Sequence, residues 1–309
     1  MYSAVGIVSC AMKGGMVKFN LHKNDKSIEL TDGRVLGYTE FGVAKGKPVF
    51  YFHGANSSRL SGRALEPVAI KLGVRIISID RPGFGISQFK PGRQLLDWPD
   101  DVIALANNLS IDRFAVIGIS SGAAYAAACA FKTPNRLTNV GMVSCEVAYN
   151  VSVSAIGKLR AVKVASVFTR RTPLLMRYWM KWSDQIARKL PKVFFSNYKV
   201  HLTQPDRAIF NWSSVKRAFI NNYLEAHRFG TKGAVWDMAL VGREWGFKLE
   251  DISMRVHLWH GGRDTVSPIA VGRLIASEIP NCLSKFYPNE GHLSVLFNHM
   301  EEILSVLVS

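Results

Sequence analysis

The sequence predicts an α/β fold with a mostly parallel sheet flanked by helices, and a helical cap inserted after the sixth strand. Three observations carry this. Near-continuous apolar runs such as Pro48-Val-Phe-Tyr-Phe52, Val74-Arg-Ile-Ile-Ser-Ile79 and Phe114-Ala-Val-Ile117 recur with helical stretches between them. Strands apolar on both faces belong inside a parallel sheet covered by helices. The alternation stops near Glu146, where the text turns helical, aromatic and basic, and resumes after Gly246.

Taken in order, Ser27-Ile-Glu-Leu30 and Val35-Leu-Gly-Tyr38 flank Thr31-Asp-Gly-Arg34, a hairpin with an Asp-Gly turn. The third strand, 48–52, runs into His53-Gly-Ala-Asn-Ser-Ser-Arg59, and a helix is expected over 60–72. The fourth, 74–79, ends in the turn-rich Asp80-Arg-Pro-Gly-Phe-Gly-Ile-Ser87. A helix over 97–109 leads to the strand from Phe114 and a helix of small residues after Ser120; the sixth strand spans 137–144. Beyond the insertion come a strand over 256–260, a helix over 268–279, a strand over 283–287 and a terminal helix over 292–308. The expected organisation is a leader at 1–26, a core at 27–145 and 247–309, and a helical cap at 146–246.

With 309 residues the chain can bury a full-sized core and carry an insertion. No apolar run approaches the roughly 18–20 residues that span a bilayer. Cys10, Cys129, Cys145 and Cys282 are scattered without a Cys-x-x-Cys pair, which argues against a zinc site or disulfide framework and fits a reducing cytoplasm. The net charge of +16 is uneven: residues 150–246 hold 17 Lys/Arg against 5 Asp/Glu, leaving 22 against 18 elsewhere.

The chemistry centres on Gly118-Ile-Ser-Ser-Gly122, between a strand and a helix. In such a Gly-x-Ser-x-Gly turn the middle serine is lifted above the sheet edge, and the two glycines make room for it. Centring on Ser120 puts glycine at both crowded positions; centring on Ser121 would put Ile119 at one of them. A serine hydroxyl needs a base, and the base an orienting anion. Asp264, in Gly261-Gly-Arg-Asp264, and His292, in Glu290-Gly-His292, both stand just past predicted strands, in the chain order Ser…Asp…His.

On these residues the chain resembles the α/β-hydrolase superfamily over about residues 27–309, and is similar to its cap-bearing branch. The resemblance is carried by His53-Gly54, Asp80-Arg-Pro-Gly-Phe-Gly85, Gly118-x-Ser120-x-Gly122, Asp264 and Gly291-His292. It implies Ser120 as nucleophile, His292 as general base and acid, Asp264 as its orienter, and an oxyanion hole from the N–H groups of Ala55 and Ser121. His53 would brace the oxyanion loop, and Asp80 and Arg81 would fix their turn through local hydrogen bonds. His257 and His260 read as packing residues. Where many relatives have proline, this chain has Asn56, which either donates to substrate or closes the turn. Glu146, just past the sixth strand, competes with Asp264 for the acid's role, and Asp264 fits better.

Trp179, Trp182, Trp212 and Trp236, with Phe168, Phe194, Phe195 and Phe210, predict an apolar acyl or alkyl pocket beneath the insertion. The expectation is a serine hydrolase of a small-molecule carboxylic ester, with no metal or organic cofactor. An acyltransferase with the same triad, or a receptor-like member with little turnover, are the alternatives. The basic excess reads as a solvated face, as attraction to anionic lipid, or as steering of an anionic substrate. No recognition motif points to nucleic acid.

Overall fold

The Asp32-Gly33 turn forms as its chemistry demands. In the computed structural model, which describes residues 7–12, 15–20, 25–146 and 173–309, Gly33 takes φ +77°, and its N–H donates to the Leu30 carbonyl at 2.8 Å. That turn joins β1 (Asp25–Glu29) to β2 (Val35–Gly42) in antiparallel register, Ile28 opposite Leu36. The remaining strands are β3 (Lys47–Phe52), β4 (Val74–Ile79), β5 (Phe114–Ile119), β6 (Leu137–Val143), β7 (Val256–Gly261) and β8 (Cys282–Tyr287). They form one eight-stranded sheet in the order β8-β7-β6-β5-β3-β4-β2-β1, parallel except where β2 pairs with β1 and β4. Within the stretch expected as a leader, Ile7–Met12 and Gly15–Asn20 pair as a separate antiparallel ribbon.

Strand alternation sorts the core into two layers. Phe50, Phe52, Ile77, Ile79 and Val116 face one side, where α2 (Trp98–Asn108), α3 (Gly122–Lys132) and α9 (Ile269–Glu278) cover them. Val49, Tyr51, Ile76, Ala115 and Ile117 face the other, under α1 (Glu66–Lys71) and α10 (Ser294–Val308). Both faces of the central strands are thus dry, as their unbroken apolar runs require. The helix expected over 60–72 is broken in two: a 3₁₀ segment, Arg59–Leu65, precedes α1. Gly62 crosses β4 so closely that a Cβ would lie 2.7 Å from that of Ser78. Pro67, in the first turn of α1, needs no N–H partner there, so the α-helix restarts at that point.

Between β6 and β7 the described chain is helical: α4 (Pro173–Lys189), α5 (Pro191–Val200), α6 (Gln204–Ile209), α7 (Ser213–Ala226) and α8 (Lys232–Val241). Phe168, and the rest of 147–172, lie outside the described residues. These helices meet the core over the carboxyl ends of the strands. Asn222 Oδ1 accepts from the Ser58 N–H at 3.0 Å, and Glu225 Oε1 from Arg59 at 2.7 Å. Among the described residues no helix is long and apolar enough to cross a membrane.

Arg59 is the central fastening. Fully buried, its guanidinium meets Asp25 on β1 (2.6 Å), Asp80 beyond β4 (2.7 Å) and Glu225 on α7 (2.7 Å). Glu225 shares its other oxygen with Arg228 at 3.0 Å. Nearby carboxylates overcome the burial that opposes its charge and raise the Arg59 pKa. Breaking a buried pair by removing one partner costs about 3–5 kcal/mol, because the other charge is stranded. Arg59→Leu is expected to destabilise the protein by at least that amount in urea unfolding, with Asp25→Asn milder.

Candidate active site

The turn after β5 is built around strain. Ser120 takes φ +56°, a left-handed conformation costing a non-glycine residue about 1–3 kcal/mol. Two anchors hold it: the Ser120 N–H donates to the Val143 carbonyl at 2.8 Å, and the Ser120 carbonyl accepts from the Ala123 N–H at 3.0 Å. A Cβ on Gly118 would lie 2.2 Å from the Gly122 carbonyl oxygen, and one on Gly122 would lie 2.2 Å from that of Phe52. Only glycine fits either place. The hydroxyl is thereby carried above the sheet, over the mouth between β3 and β6.

The structure brings the three sequence-predicted side chains together. Ser120 Oγ lies 3.0 Å from His292 Nε2, and His292 Nδ1 lies 2.7 Å from Asp264 Oδ2. The other Asp264 oxygen accepts the N–H groups of Val266 and Ser267 at 2.9 and 2.8 Å, which fixes the carboxylate. Burial opposes charging His292, but Asp264, helped by Glu146, outweighs it and holds the imidazole pKa above 6.5. A hydroxyl so placed can pass its proton to the imidazole, and the carboxylate can stabilise the resulting charge.

Of the two acids weighed from the sequence, Asp264 reaches the imidazole and Glu146 reaches the serine. Glu146 Oε1 lies 3.0 Å from Ser120 Oγ, and burial raises its pKa above the usual glutamate value. Glu146 thus stands as a second acceptor beside the Ser120 hydroxyl, opposite the imidazole.

The peptides that precede Ala55 and Ser121 each have their carbonyl held by a hydrogen bond. In a trans peptide, C=O and N–H point in opposite directions. The Gly54 carbonyl accepts from Arg81 Nη2 at 3.3 Å, so the Ala55 N–H points to the opposite side of that peptide. The Ser120 carbonyl points along α3, so the Ser121 N–H faces back out of the helix start. Asn56, next in the loop, sits at φ +51°, a conformation asparagine tolerates better than most residues. Its Oδ1 lies 3.3 Å from His227 Nε2 at the end of α7, while the residue also lines the cavity.

His53 braces this loop, as expected: its Nδ1 meets the Gly54 carbonyl at 2.9 Å, and its Nε2 accepts the Arg81 N–H at 3.2 Å. Burial, with the neighbouring Arg81 charge, holds its pKa well below 6.5. Asp80 fixes its turn locally through the Ile86 N–H at 2.9 Å. Arg81 departs from that expectation. A guanidinium carries five donors, and its own loop cannot satisfy them. It reaches the carbonyls of His53 and Gly54, the Ser121 hydroxyl at 3.2 Å and Asp237 on α8 at 2.8 Å. Arg93 meets Asp237 from the other side at 2.7 Å, and Tyr125 completes the cluster. His260 is buried, pairs its Nε2 with the Ser267 carbonyl at 2.8 Å and lies 3.5 Å from Asp264 Oδ2, so it backs the site's acid, while His257 stacks on Trp259.

Sequence reasoning missed Asp206. Buried on α6, it accepts from three consecutive N–H groups, those of His292, Leu293 and Ser294, each at 2.9 Å. It thus caps α10 from another element and fixes the backbone of His292. Gly291 is glycine because a Cβ would lie 2.4 Å from Asp206 Oδ2. The available signal was scarcity: Asp206 is one of five acids in a stretch of 17 bases.

Ser120, Glu146 and His292 open into a cavity of about 2230 Å³, walled by apolar residues that include Met180, Phe194, Phe210, Phe219 and Leu296. Among the described residues no cluster of His, Cys, Asp and Glu is arranged to hold a metal ion.

The chain belongs to the alpha/beta hydrolase family, which it matches over residues 49–306, and that membership supports hydrolase chemistry. A hydrolase from Pseudomonas aeruginosa PA01 is similar at TM-score 0.67 and 19% identity, covering 93% of this chain and 99% of that one. An esterase from Rhodococcus sp. ECU1013 is similar at TM-score 0.62 and 18% identity, over 93% and 99%. An esterase from Exiguobacterium antarcticum is similar at TM-score 0.64 and 16% identity, over 91% and 97%. At such identities the likeness is one of fold. No curated protein sequence matches the chain.

Removing the Asp206 carboxylate leaves the start of α10 uncapped in a buried site. Asp206→Ala is expected to cost about 1–2 kcal/mol or more of unfolding free energy, read as a lower urea midpoint.

Proposed function

We propose that this chain is a serine hydrolase of carboxylic esters, acting through an acyl-enzyme on Ser120. The observation that carries the reading is the relay from Ser120 Oγ through His292 to Asp264, at 3.0 and 2.7 Å. In the proposed reaction His292 takes the serine proton as the hydroxyl attacks the ester carbonyl, and returns it to the departing alcohol. It then activates water against the acyl-enzyme while Asp264 steadies the imidazolium. The N–H groups of Ala55 and Ser121 would receive the oxyanion, each such donor being worth about 2.7–4 kcal/mol in the transition state.

The apolar walls favour an acyl group over a charged one. The cavity exceeds the roughly 300–1,000 Å³ that holds a drug-sized ligand, which supports a medium or long acyl chain. The insertion, 146–246, would act as the cap over this site, with core segments 27–145 and 247–309 beneath it. The cytoplasmic setting expected from the scattered cysteines belongs to the same proposal.

The test is hydrolysis of p-nitrophenyl esters from acetate to palmitate, with an optimum expected at medium or long chains. Ser120→Ala and His292→Ala should each lose on the order of 10⁵–10⁶ in kcat while keeping the fold. Serine-independent turnover would overturn the reading. His292 works as a base only when neutral, and its folded pKa is raised above 6.5. The rate kcat/KM should therefore fall as pH drops through a midpoint above 6.5. Because the Glu146 charge contributes to that rise, Glu146→Gln should move the midpoint down. A midpoint unmoved by Glu146→Gln would remove Glu146 from the site's electrostatics.

A further inference from the structure

The helices between β6 and β7 turn an unusual surface outward. α4 carries two apolar stripes. Met176, Met180 and Ala187 face inward, where Met176 and Met180 pack with Phe84, Ala226 and Ala234. Leu175, Tyr178, Trp179 and Trp182 form the second stripe, spaced at i, i+3, i+4 and i+7, and it faces solvent. Tyr178 is 69% exposed, Trp179 54% and Trp182 65%. Val193 on α5 and Trp212 before α7 are 55% and 73% exposed. Trp179, Trp182, Val193 and Trp212 also line the cavity that contains Ser120. Residues both exposed and lining stand at its mouth, so the opening is rimmed by three indoles.

Among the described residues of these helices the exposed charge is almost wholly positive. Arg177, Lys181, Lys192 and Arg217 are exposed, and among the described residues none of them enters a salt bridge. The acids of the segment do not offset them. Asp184, Asp206, Glu225 and Asp237 are buried, and Glu244 alone of the five is exposed. A solvated basic face does not require three exposed indoles, and an apolar protein-binding face does not require one sign of charge. An anionic bilayer surface asks for both: indole rings settle at the headgroup level while Lys and Arg meet lipid phosphates.

We propose that the cavity mouth docks on an anionic lipid bilayer, the rim indoles entering the headgroup layer and the surrounding bases meeting lipid phosphate. The docking stands on the surface alone. That an acyl-lipid substrate then passes from the bilayer to Ser120 rests on the ester-hydrolase reading.

Flotation of the full chain carrying Ser120→Ala tests the docking without turnover. The vesicles are phosphatidylcholine, alone or with about one-third phosphatidylglycerol. Binding is expected to the mixed vesicles, little to phosphatidylcholine alone, and weakening as salt rises. Arg177, Lys181 and Lys192 lie outside the cavity lining. Reversing all three (R177E/K181E/K192E) should weaken binding by at least about a hundredfold, since losing the three positive charges alone is worth roughly fivefold each. The exchange R177K/K181R/K192R should retain it. An unchanged urea midpoint for the triple reversal reports that the fold is intact. W179A/W182A should lose the binding that survives high salt.

Equal binding to both vesicle types, or none, overturns the proposal even if the chain proves an esterase. Docking without any serine-dependent turnover would support it while removing the ester-hydrolase reading. A salt-sensitive dimer dispersed by the triple reversal would assign the face to a second copy of this chain, and preference for an RNA oligonucleotide over vesicles would assign it to nucleic acid; either overturns it.

Discussion

A carboxylate or guanidinium taken out of water costs several kcal/mol unless its charge and its hydrogen bonds are met. That constraint joins the helical insertion to the sheet. Glu225 reaches the loop after β3 through Arg59, Asp237 reaches the loop after β4 through Arg81, and Asp206 reaches the loop after β8 through the backbone. Those three loops carry or brace Ala55, Ser121 and His292. The buried acids of these helices are therefore structural members of those loops. Apolar packing, as of Met180 against Phe84, adds area to the same contact but fixes no direction.

Arg81 shows how such a charge acquires geometric effect. One face of its guanidinium meets Asp237, whose pKa is depressed because Arg81 and Arg93 outweigh its burial. The other face holds the carbonyls of His53 and Gly54 inward. A peptide with its carbonyl pinned on one side has its next N–H pinned on the other. The direction of the Ala55 N–H is thus set by an ion pair with a helix more than 150 residues further along the chain.

What the sequence makes legible follows from how local each cause is. The hairpin, the two-sided strands and the Ser120 turn rest on neighbours within a few residues, and each is found where expected. Ser120, Asp264 and His292 could be paired because each stands just past its own strand, and a parallel sheet gathers strand ends on one edge. Arg59, Asp206 and Asp237 were illegible by the same logic. Their partners are distant, and nothing in the surrounding residues separates a buried carboxylate from a solvated one. The break between the 3₁₀ segment and α1 was equally hidden, since its cause is the passage of Gly62 over Ser78. Arg81 stands in a local motif, whereas five donors in a dry interior must be met wherever partners exist.

Moving the insertion's acids indoors has an electrical consequence. Guanidinium and ammonium groups keep their charge to pH values of about 10 and beyond. The carboxylates able to counterbalance them from the surface are nearly absent there. The two parts of the molecule are also unequal, with 17 bases against 5 acids over 150–246 and 22 against 18 elsewhere. The described part of the insertion, 173–246, alone carries 12 Lys/Arg against 5 Asp/Glu, so its excess is positive. Charge divided so unequally along a chain experiences a torque in the field of a negatively charged body before any contact is made.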